Sequence, residues 1–138
     1  MSNLDSNDVV FDGPDAPVLT YVTTDDIVTI APTATVRAAA TAIVEQSIGM
    51  IVIGTTDDVL AVVSERDIVR AVSDGRDLDT TSVADIGSRE LVWIDADDSI
   101  GQAAEEMMKD YVRHGLVRDE TGLVGVLSMR DILSAYTT

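Results

Sequence analysis

The chain has 138 residues, enough for one ordinary domain or for two small units that share a core. Twenty-five acidic residues face nine basic ones, giving a net charge of −16, and nineteen of the acids are aspartate. A surface this negative repels nucleic acid and anionic lipid, which removes both from the expected partners. The apolar share of 46% argues for a folded protein. No run approaches the roughly 18 apolar residues of a membrane span, and the N-terminus lacks a charged-then-apolar signal pattern. With no cysteine there is no disulfide framework and no thiolate site. The simplest compartment is the cytoplasm, and the acidity is that expected of a salt-rich one, where screening suppresses self-repulsion.

In chain order, residues 1–17 carry four aspartates, a glycine and two prolines and read as an acidic flexible tail, in which Val9-Val10-Phe11 is the one apolar run. From Val18 an internal repeat is visible. Sliding the chain by sixty-four residues pairs Val28 with Val92, Ile30 with Ile94, Val36 with Ile100 and Ile43-Val44 with Met107-Met108, without a gap. The expected organisation is a first unit over 18–73, a linker over 74–81 and a second unit over 82–138.

Each unit opens with a short strand (28–30; 92–94). A helix follows near 35–47 and 99–111, with apolar residues at i, i+3, i+4, i+7 and i+8. That stripe places Val44 and the Met107-Met108 pair in the core. Two β-rich runs come next, "MIVIG" with "VLAVV" and "GLV" with "LVGVL", joined by turns at Asp57-Asp58 and at "DETG". A second helix starts after Ser64 and Ser128. Its spacing predicts burial through Ile68, Val69 and Val72 in one copy and Ile132, Leu133 and Tyr136 in the other. The fold class is α+β, from two β-α-β-β-α repeats. Trp93, in a strand position, reads as core.

The repeated "SERD" and "SMRD" carry the chemistry. Ser with an acid three residues on is a capping-box variant, so Ser64 with Asp67 and Ser128 with Asp131 could be helix caps and nothing more. Arg66 and Arg130 are less easily explained, because the first helical turn disfavours a cation by roughly 0.3–1 kcal/mol. A phosphate held by free N–H groups and a guanidinium would account for them, and a nearby Asp can accept from a sugar's hydroxyls. The competing explanation is pairing of each arginine with a surface acid. Arg113 and His114, just before a strand, could also face an anion. Their counterparts in the first copy are Gly49 and Met50, so the two sites would be chemically unequal, the second holding phosphate more strongly. "DADDSIGQAAEE" resembles a calcium loop at Asp95, Asp97, Ser99 and Glu106. Ile100 stands where that loop needs Gly, so no metal is expected. With one His, one Lys, no Gly-rich phosphate loop and no Gly-x-Ser-x-Gly, the inventory argues against an enzyme.

Residues 28–72 and 91–136 resemble cystathionine-β-synthase (CBS) domains in tandem, a Bateman module, over about 18–137. The resemblance implies a pair packed about a pseudo-two-fold axis, with clefts for adenosine compounds such as AMP, ADP, ATP or S-adenosylmethionine and no obligatory cofactor. It implies that Asp67 and Asp131 hold ribose hydroxyls. Ser64, Arg66, Ser128 and Arg130 would approach phosphate, with Gly49, Met50, Arg113 and His114 lining the same clefts. It further implies a homodimer that regulates a separate effector protein; the alternative is a dimerising scaffold whose clefts stay empty. The pre-strand proline frequent in the family is replaced by Ile51 and Leu116.

Overall fold

The computed structural model describes residues 13–137. The first repeat runs through β1 (Thr29–Ile30), α1 (Val36–Gln46), the hairpin β2 (Met50–Gly54) and β3 (Val59–Ser64), and α2 (Glu65–Ser73). A short helix α3 (Val83–Ile86) leads into the second: β4 (Trp93–Asp95), α4 (Ile100–Lys109), β5 (His114–Asp119), β6 (Gly122–Ser128) and α5 (Met129–Tyr136). Two three-stranded sheets result, in the orders β1-β2-β3 and β4-β5-β6. In each, the first two strands pair in parallel and the last two antiparallel. A parallel pair needs a crossover, which α1 and α4 supply; an antiparallel pair needs only a tight turn.

The repeat is obeyed in detail. Ladder irregularities fall between Ile53 and Gly54 and between Val117 and Arg118, sixty-four residues apart. Left-handed residues that end the first helix of each repeat, Ser47 (φ 54°) and Tyr111 (φ 56°), keep the same offset. Thr35 caps α1 by accepting from the Ala38 N–H, and Ser99 caps α4 by accepting from that of Gln102, each at 3.1 Å.

Strand alternation then sorts the core. In β2, Ile51 and Ile53 pack with Ala39 and Ile43 of α1, whereas Met50 and Val52 point the other way and meet Leu116 and Leu123. Both faces of β2 are thus buried, which is why "MIVI" is an unbroken apolar run rather than an alternating one. Trp93 is half-buried against the cluster that joins the two sheets, with the Arg118 guanidinium 5.2 Å above its ring.

Two expectations need correction. Val44, Met108, Val69, Leu133, Val72 and Tyr136 are exposed, although Met107, Ile43 and Ile132 are buried as expected. The apolar stripe on each helix is wider than the sheet face beneath it, so the sheet covers one edge and leaves the other in solvent. The six form three pairs at the sixty-four-residue offset, which marks a feature of the repeat and not scattered surface residues. The second correction concerns only the described end of the expected tail, residues 13–17. Val9-Val10-Phe11 lie outside the described residues, but Gly13–Pro17 are seated on the second repeat, with Ala16 fully buried. There the Val18 N–H donates to the Asp98 carbonyl at 2.8 Å, and the Ile100 N–H to that of Ala16 at 2.9 Å. The linker makes the same reciprocal pair with the first repeat, Val83 N–H to the Ala34 carbonyl and Val36 N–H to that of Thr81. An Arg37–Asp79 ion pair adds to it.

Candidate functional site

Both "Ser-x-Arg-Asp" stretches are built as full capping boxes. Ser64 Oγ accepts from the Asp67 N–H at 3.3 Å, and Asp67 Oδ2 accepts from the Ser64 N–H at 2.8 Å. Ser128 and Asp131 repeat this at 3.1 and 2.9 Å. Each serine hydroxyl also donates to its aspartate, at 3.1 Å in the first copy and 2.9 Å in the second. A hydroxyl has one proton, so neither serine can give a hydrogen bond to an anion without releasing its carboxylate. The Glu65 N–H is taken by the Gly49 carbonyl, and that of Met129 by the Arg113 carbonyl. These bonds fix the start of each second helix against the pre-strand residues of its own repeat.

The arginines do not behave as surface-paired side chains. Among the described residues the ion pairs are Arg37–Asp79, Arg70–Asp67 and Arg118–Asp95, so Arg66 and Arg130 have no carboxylate partner. Instead each lines a cleft.

The first cleft, of about 260 Å³, holds Ser64, Arg66 and Asp67 together with Arg113 and His114 of the other repeat. Val62, Leu91, Val92, Val112 and the exposed Tyr111 supply its apolar side. The second, of about 820 Å³, holds Ser128, Arg130 and Asp131 with Gly49 and Met50 of the first repeat, and Ile48, Val126 and Met129 as apolar lining. The second volume lies within the range of small-molecule sites, roughly 300–1,000 Å³, and the first just below it. The capping motif of one repeat thus faces the pre-strand pair of the other.

That crossing changes the expected inequality. Arg113 and His114, which belong to the second copy by sequence, face the first copy's motif and also reach the second cleft. Sequence reasoning missed Glu90 in the first cleft and Asp26 in the second, sixty-four residues apart, and Glu65, which lines both. The repeat offset pairs Glu90 with Asp26, but an aspartate-rich chain gives neither acid any prominence. Burial holds the His114 imidazole below its ordinary pKa; the nearby Glu65 and Asp131 carboxylates pull the other way, and Arg113 adds to the lowering. Trp93 lines neither cleft. Among the described residues no cluster of three His, Asp or Glu is placed to hold a metal ion. None of the described helices is long and apolar enough to cross a membrane.

Comparison with known proteins agrees with this architecture. The CBS domain model matches residues 18–74 and 83–138. An uncharacterised protein of Methanopyrus kandleri is 32% identical over 111 residues, which is 78% of this chain and 57% of the relative's length. A conserved protein of Pyrococcus horikoshii superposes with a TM-score of 0.81 at 24% identity, covering 91% of this chain and 95% of that one. A CBS domain protein of Pyrobaculum aerophilum, solved in complex with AMP, superposes at 0.75 with 32% identity, over 88% of this chain and 98% of that one. The chain belongs to the CBS domain family and carries the domain twice.

Proposed function

We propose that the protein is a regulatory module that binds an adenosine-containing nucleotide, AMP, ADP, ATP or S-adenosylmethionine, and signals to a partner protein, with no chemistry of its own. One observation carries this reading: in so acidic a chain, Arg66 and Arg130 have no carboxylate partner among the described residues and line clefts. The AMP complex of the Pyrobaculum relative supports it. In this assignment the apolar walls take the base. Asp67 and Asp131 offer the ribose the oxygen not used in the capping box. Arg66, Arg130, Arg113 and His114 receive phosphate. Ser64 and Ser128 hold the aspartates in place, and Gly49 and Met50 form the floor between the clefts. Nucleotide binding shifts the relative placement of the repeats, and the partner reads the shift. We further propose a homodimer in a salt-rich cytoplasm.

A second reading, a ligand-free association scaffold, is favoured by the three pairs of exposed apolar residues on the helices. Calorimetry with AMP, ADP, ATP and S-adenosylmethionine in concentrated KCl separates the two. Heat from at least one of them is the expected result, with the affinity for AMP, ADP or ATP lowered about tenfold or more in the Arg66→Gln, Arg130→Gln double variant. Both arginines are exposed, so that variant keeps the fold. No heat from any of the four leaves the scaffold reading.

A further inference from the structure

The two clefts are not independent. Gly49, Met50, Glu65, Arg113 and His114 line both. Gly49 allows this arrangement: a Cβ at that position would sit 2.7 Å from His114 Nε2 and 3.0 Å from Glu65 Oε1. The imidazole therefore occupies the space a side chain would claim and stands as part of a thin partition between the clefts. Beyond this wall, each cleft has one arginine of its own, Arg66 in the first and Arg130 in the second. Each also has two further carboxylates, Asp67 and Glu90 in one, Asp26 and Asp131 in the other. A faithful duplication would give each cleft its own arginine–histidine pair, yet the counterparts of Arg113 and His114 are Gly49 and Met50. One arginine–histidine pair serves two anion sites.

From this shared wall we infer that the clefts compete for Arg113 and His114, so that one phosphate-bearing nucleoside per chain excludes a second, whereas uncharged nucleosides fill both clefts. The inference rests on the nucleotide reading above and adds a rule of occupancy to it. A phosphate in either cleft draws Arg113 to itself and leaves the other with one arginine against three carboxylates. It also sets a fixed anion behind the shared wall, and like charges in a partly buried site repel more strongly than in water. Adenosine carries no charge and incurs neither penalty.

The test is calorimetry of the full chain with adenosine and with AMP as separate probes. Adenosine is expected to saturate at two per chain. AMP is expected to saturate at one, with any second molecule at least about tenfold weaker. In Arg113→Gln, the AMP affinity falls about tenfold or more while adenosine still fills two sites. Two AMP molecules of equal affinity would overturn the exclusion and leave the nucleotide reading standing. One adenosine and one AMP would overturn it too, because phosphate would then not be the cause. An Arg113→Gln variant with unchanged AMP affinity would remove the shared wall from the account. Failure of both probes to bind would sink the inference, and retained heat from ADP, ATP or S-adenosylmethionine shows whether the broader reading goes with it.

Discussion

His114 is the most informative single side chain. Its proton affinity is lowered chiefly by burial, so near neutral pH the imidazole is uncharged. The groups facing it are Glu65, Asp131 and Arg113. In the unfolded chain the same imidazole binds a proton below about 6.5, where the folded one resists it. The unfolded state therefore carries the extra proton, and stability contributed by this site falls as pH drops through 6.5 toward the lower folded value. Urea melts of the wild type and His114→Asn at pH 7.5 and 5.5 check the sign: the wild type loses more stability between the two than the variant. A phosphate beside the ring reverses the preference by favouring the imidazolium. The AMP phosphate also gains a proton between pH 7.5 and 5.5, its second pKa being about 6. AMP affinity is therefore expected to hold up better across this interval in the wild type than in His114→Asn, with the extra proton uptake of the wild type measurable from the buffer dependence of the heat.

At the scale of elements, the caps and crossovers were plain in the amino acids while the outer helix faces were not. Ser64 and Asp67 announce a helix start through local chemistry, because the bonds involved span three residues. The sixty-four-residue offset carried each element from one copy to the other. Periodicity, by contrast, reports only that Val69 and Leu133 share a stripe with Ile68 and Ile132; how much of the stripe the sheet covers is a tertiary matter. The clefts were half legible for the same reason. The sequence pointed to the residues of each wall, but the pairing of one repeat's cap with the other repeat's pre-strand pair exists only in the packed pair. In the arm before β1, Asp15 and two prolines hide the fact that Ala16 is fully buried, beside the equally buried Val18 that opens the first unit. Val18→Ala is expected to cost about 1–3 kcal/mol in a denaturant melt. Gly125→Ala should also destabilise, since its Cβ would fall 2.5 Å from that of Val22 in the same arm.

For the whole molecule, the exposed pairs Val44 with Met108, Val69 with Leu133 and Val72 with Tyr136 give each repeat an equivalent apolar helical face. Such faces suit a two-fold partner, in which each surface meets its like. Val69→Lys with Leu133→Lys is expected to lower the mass seen by sedimentation to that of one chain, with the far-ultraviolet circular dichroism unchanged. Net charge acts at this scale too. With −16 on one small molecule, added KCl should raise the thermal midpoint steadily, because screening falls to roughly 3 Å at 1 M.

The reciprocal straps have a consequence for any attempt to divide the molecule. Residues 13–22 brace the second repeat although they lie before β1, and residues 78–83 brace the first although they lie between α2 and β4. A cut after Ser73 leaves each half-gene encoding the brace its sibling needs and lacking its own. Expressed singly, a half would expose the seat of the missing brace. Co-expressed, the halves have a reason to find each other that is independent of the sheet interface, and a tandem gene is the economical way to keep two such donors together.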